Sequence, residues 1–126
     1  MTFRYKDVLY PQIIRVPDQA SALEQLRRGV LVLIMPGERP KNLKFLCPCG
    51  CGDTISINLM REAGKAWQLG YEVGHGISIW PSVWLDVGCR SHFILRRNKA
   101  RLLYGKVPRM TEEELERWWE TSDGLT

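Results

Sequence analysis

No stretch of this chain approaches the ~18 to 20 consecutive apolar residues that a membrane-spanning helix requires. The opening Met1-Thr2-Phe3-Arg4-Tyr5-Lys6-Asp7 lacks the charged-then-apolar pattern of a secretory signal. Internal repeats and low-complexity segments are also missing, which excludes solenoid and disordered classes. Cysteine is scarce, with four in 126 residues. Three of the four fall within five positions, where neighbours at i and i+2 cannot easily meet bridge geometry and only one distant partner remains, so they make a poor disulfide framework. These absences predict a soluble cytoplasmic protein without a membrane role, whose thiols stay reduced or bind metal.

What is present suffices for one domain. With 126 residues and 44% hydrophobic content, the chain can bury roughly two thirds of its unfolded surface around a single core. Net charge is +4, unevenly spread. Between Arg90 and Arg109 there are seven basic residues and no acidic one, after which Glu112, Glu113, Glu114, Glu116, Glu120 and Asp123 oppose Arg117 alone. One reading is a solvated hairpin beside a solvated helix. The other is a basic surface, with Arg96, Arg97, Lys99 and Arg101 as its residues, that meets an acidic protein partner or, less favoured, nucleic acid.

The pattern of elements is mostly β. Val8 to Val16, rich in β-branched residues and broken by Pro11, reads as an edge strand. Asp18 caps a helix over Gln19 to Arg28, stopped by Gly29. Val30 to Met35 is continuously apolar and reads as a buried central strand. Lys44 to Cys47 and Thr54 to Leu59 form a hairpin around the cysteine turn. Trp67 to Val73 and Gly76 to Trp80 are two further strands, and His92 to Arg96 pairs with Ala100 to Tyr104 in a closing hairpin. Thr111-Glu112-Glu113-Glu114 is a capping box that opens a helix with Leu115, Trp118 and Trp119 on its apolar side. The fold class is therefore a small single-domain β-sandwich, or a Rieske-like or zinc-ribbon-like scaffold, with two short helices over residues 1–126.

Cys47-Pro48-Cys49-Gly50-Cys51-Gly52 and Cys89-Arg90-Ser91-His92 carry the chemistry. Thiolates around one tetrahedral ion lie roughly 3.8 Å apart, whereas i and i+2 side chains of a straight strand are about 6.6 Å apart, so the chain must curl. Pro48 fixes one φ, and Gly50 and Gly52 supply the positive φ of such a knuckle. Five candidate ligands result: Cys47, Cys49, Cys51, Cys89 and His92. A tetrahedral site needs four, and the surplus leaves room for a bystander, a supporting histidine or a reactive thiol.

Other residues invite blander readings. His75 lies between two glycines and reads as an exposed loop histidine. Trp67, Trp80 and Trp84 sit among apolar neighbours and are assigned to the core. Ser82, Asp86 and His92 supply the residue types of a hydrolase triad, but Ser82 lacks a nucleophile-elbow glycine pattern, which argues against it.

Phe45 to Gly52, Trp80-Pro81-Ser82-Val83-Trp84 and Gly88 to Ile94 together resemble a family of small uncharacterised bacterial proteins with this cysteine pattern, some encoded beside ubiquitin-like conjugation components. The resemblance implies an accessory or adaptor role. The ligand pattern also resembles a Rieske-type arrangement, with cysteine in place of the first histidine, which implies Zn2+ rather than a [2Fe–2S] cluster as its alternative. Two functions are thus expected: a zinc-stabilised, non-enzymatic adaptor that binds a ubiquitin-like modifier or its conjugating enzymes, and an iron–sulfur or thiol-transfer redox protein.

Overall fold

Tyr10-Pro11 decides how the chain begins, because it hands the backbone from one sheet to another. The computed structural model describes residues 3–124. Val8 to Val16, expected as one strand, is split into β1 (Arg4–Leu9) and β2 (Gln12–Val16). Pro11 offers no N–H to a ladder, and Tyr10 turns inward at the corner to donate its hydroxyl to the Leu46 carbonyl at 2.7 Å. Then follow α1 (Gln19–Gln25), β3 (Val30–Ile34), β4 (Asn42–Leu46), β5 (Thr54–Asn58), a 3-10 turn (Arg61–Ala63), β6 (Gln68–Glu72), β7 (Gly76–Trp80), β8 (Val83–Trp84), β9 (His92–Arg96), β10 (Lys99–Tyr104) and α2 (Glu112–Gly124). Helix α1 stops earlier than expected, since Leu26 is already extended.

The strands form a sheet ordered β1-β10-β9-β8, a second ordered β2-β3-β4-β5, and the ribbon β6-β7. Strand β3 is buried along its whole length and lies between β2 and β4, as its unbroken apolar run predicts. Leu31, Leu33, Leu43, Phe45, Ile55 and Ile57 of the second sheet share one core with Phe93, Leu95 and Leu102 of the first and Ile77 and Ile79 of the ribbon. This is the mostly β fold with two helices that the sequence predicts.

The β9–β10 turn is also a rivet. Arg97 and Asn98 take φ of 50° and 63°, the left-handed pair of a tight hairpin. The Asn98 side chain accepts from the Ile77 N–H at 2.7 Å, while its carbonyl accepts from the Tyr10 N–H at 2.7 Å. Asn98→Ala removes an acceptor from a part-buried amide and the left-handed tolerance of asparagine. It is expected to cost about 1 to 3 kcal/mol, read as a lower denaturant midpoint at unchanged slope.

The basic hairpin is not the open surface that its composition suggests. Arg101 is 0% exposed and Arg96 5% exposed. Arg101 forks onto Asp7 at 2.7 and 2.9 Å and lies against the Trp119 ring at 4.0 Å. Arg96 pairs with Glu116 and lies over Trp80 at 4.7 Å. Of the four cations expected to hold a partner, only Arg97 is exposed, paired with Glu72 at 3.4 Å, with Lys99 partly so. The physical reason is α2, which packs Leu115 and Trp119 on Ile94 and Leu103 and sets Glu116 over the arginine. Arg96 and Arg101 are thus held within the fold, and Arg97 and Lys99 remain accessible at the turn.

Candidate active site and metal centre

The knuckle closes as its glycines predict. Gly50 and Gly52 take φ of 87° and 90°, and the Cys47 N–H donates to the Asp53 carbonyl at 2.8 Å. Across from it, the loop between β8 and β9 brings Cys89 within 3.6 Å of Cys47, sulfur to sulfur. Cys47 and Cys49 are 3.4 Å apart, and one Sγ atom from each of Cys47, Cys49, Cys51 and Cys89 lies within 4.8 Å of the others. Those separations bracket the edge of about 3.8 Å that four sulfurs have around a tetrahedral ion. Such crowded thiols do not ionise alike. Burial pushes Cys47 up. Burial is also the largest single influence on Cys49, but hydrogen bonds from Ser91, Cys47 and Cys51 outweigh it and hold that thiol at about 6. A divalent cation would take all four as thiolates.

His92, counted as a fifth ligand candidate, faces elsewhere. It opens β9 opposite Trp84 of β8, and its Nε2 lies 3.2 Å from the Ser82 hydroxyl oxygen. Ser82 immediately precedes β8, after the cis Trp80–Pro81 peptide. A two-residue strand pair is thus enough to bring a serine and a histidine together, and no glycine elbow is involved. Trp84, expected in the core, is 70% exposed. Its ring lies flat on the His92 imidazole, 4.3 Å between centroids and 9° between planes. Val83 and Leu85, two residues apart, both face the core, and that period-2 spacing was a signal that could have placed Trp84 outside. Burial holds the His92 pKa below its ordinary value, with the charge of Glu112 opposing that shift.

The carboxylate that reaches Ser82 is Glu112, at the start of α2, rather than Asp86. It accepts from the Ser82 hydroxyl and from the Ser82 N–H, each at 3.0 Å. Glu112 carried no sequence signal beyond its place in the capping box. Two hollows of about 200 Å³ flank the serine: one is lined by Trp84, His92, Val107, Met110 and Leu115, the other by Ile55, Ile57, Trp67, Val83 and Leu85. His75 lies exposed in the β6–β7 turn, as expected.

The model of a family described as a bacterial ubiquitination-like system serine protease (BubE) matches residues 17–103. The chain belongs to this family. No curated protein and no solved structure matches it. The segment matched to the BubE family contains the four cysteines, Ser82 and His92, and it ends before Glu112. Among the described residues no helix is long and apolar enough to cross a membrane.

Proposed function

We propose that the protein is a serine protease that cleaves a peptide bond at the C-terminal end of a ubiquitin-like modifier, with Ser82 as nucleophile and His92 as general base. The observation that carries this reading is the 3.2 Å approach of the Ser82 oxygen to His92 Nε2, within the segment matched to a protease family of a ubiquitination-like system. Ser82 attacks the scissile carbonyl carbon and its proton passes to Nε2. The tetrahedral oxygen takes the Ser82 N–H, and collapse returns the proton from His92 to the departing amine, leaving an acyl-serine. Water, activated by the same imidazole, then releases the modifier with a free carboxylate. Trp84 holds the imidazole plane, a role that a third carboxylate plays in other serine hydrolases. The two hollows beside Ser82 are each large enough for one or two side chains of an extended tail.

The metal is proposed to be Zn2+, held by Cys47, Cys49, Cys51 and Cys89. Four sulfurs converging on one point suit a mononuclear ion better than a dinuclear iron–sulfur cluster, and a four-thiolate shell leaves no open position. The ion therefore supplies a cross-link, not a catalytic water. Cys89 stands three residues before His92, so the link fixes the loop from which the base emerges.

The test is a modifier fused to a C-terminal extension. The fusion should be cut once, at the modifier's end, and a fluorophosphonate should stop the reaction while adding its mass to the Ser82 peptide. A protein that cuts the fusion but carries the label elsewhere, or none, would overturn the assignment.

A further inference from the structure

Glu112 holds both groups that acyl transfer needs from Ser82. The hydroxyl hydrogen points to one carboxylate oxygen and the backbone N–H to the other, each at 3.0 Å, so neither can serve His92 or a developing oxyanion. We propose that Glu112 is an internal product mimic: its carboxylate fills the subsite for the C-terminal carboxylate of the cleaved chain, and α2 must release Ser82 before a substrate can be acylated.

This rests on Ser82 being the nucleophile, but three observations carry it beyond that assignment. First, a carboxylate bridging Oγ–H and N–H stands where a product carboxylate would stand, one oxygen toward the nucleophile and one on the amide that binds the oxyanion. Second, the latch comes from outside the segment matched to the family, residues 17–103, whereas the dyad lies inside it. Third, α2 is capped and anchored through contacts made by residues other than Glu112. Its cap is made by Thr111 and Glu114, which exchange backbone-to-side-chain hydrogen bonds at 3.1 Å, and its anchors are Leu115, Glu116 and Trp119. Glu112 itself is exposed, so water can solvate its carboxylate when a substrate takes its place on Ser82.

Fluorophosphonate labelling of Ser82, in which the hydroxyl oxygen attacks phosphorus and fluoride leaves, should run roughly 10- to 100-fold faster in Glu112→Ala, with Glu112→Gln between, because the loss of a charged acceptor frees the hydroxyl. A peptide with the modifier's C-terminal sequence and a free carboxylate should bind Glu112→Ala roughly 10-fold tighter than the parent, while its C-terminal amide gains nothing. Equal labelling of Ser82 in parent and variant, with equal peptide affinities, would overturn the latch and leave the protease reading standing. Slower labelling in Glu112→Ala would make Glu112 a catalytic carboxylate and overturn it too. Absence of Ser82 labelling in every variant would overturn the protease reading, and the carboxylate-against-amide comparison, which needs no turnover, would still decide whether Glu112 guards a carboxylate subsite.

Discussion

Chelation of the metal, or Cys47→Ser, is expected to leave the protein unfolded or protease-sensitive at 25 °C. Cys47 is the buried member of the four, and the knuckle it anchors meets the β8–β9 loop at Cys89, 3.6 Å away sulfur to sulfur, and at Ser91, 3.8 Å away. Structural zinc contributes on the order of 10 kcal/mol in small modules, which rivals the whole stability of an ordinary domain. Far-ultraviolet circular dichroism and limited proteolysis, before and after chelation, read the effect, and elemental analysis of the same sample identifies the ion. A metal-free protein that melts where the loaded one does would sink this account. The damage should not be uniform. Strand β3 and its neighbours keep their apolar contacts, whereas residues 85–91, which join the serine to the histidine, lose their tether, so cleavage should fail at lower chelator concentration than the melt.

The core and the cysteine cluster were legible in the sequence for the same reason. Both depend on local geometry: an unbroken apolar run such as Val30 to Ile34 must be covered on two faces, and cysteines two apart can share an ion only in a glycine turn. The Ser82–His92 pair was not legible in that way. Ser82 and His92 meet through one antiparallel pairing, Trp84 with His92, and nothing in a two-residue strand announces its partner. A glycine elbow marks a strand-to-helix turn, whereas this chain positions its serine just before a short strand. Charge misled for a related reason. Arg96 and Arg101 alternate in strands whose outward face a distant helix covers, and a cation beneath a tryptophan reads the same as a solvated one until that helix is placed.

Ser82→Ala and His92→Ala should each lower the cleavage rate by about 10,000-fold or more, and the double variant should lose little further, because a nucleophile and its base act as one unit. Both variants should melt close to the parent, since neither side chain belongs to the apolar core. The pH profile provides the sharper check. His92 serves as base only when neutral, and burial holds its pKa below 6.5, so the rate should climb with rising pH to a plateau already reached near neutrality. The charges bordering the imidazole are Glu112 from α2 and, on the rim of the same hollow, Arg109. Glu112 raises the His92 pKa against the effect of burial. Its removal should therefore shift the acid limb to lower pH. A thiol nucleophile among the four cysteines predicts a different profile and a different label, because a serine substitution in the knuckle would then keep the fold and lose only activity. An acid limb that stays fixed in Glu112→Ala, or a His92→Ala protein that still cleaves at the parental rate, would remove the imidazole from the mechanism.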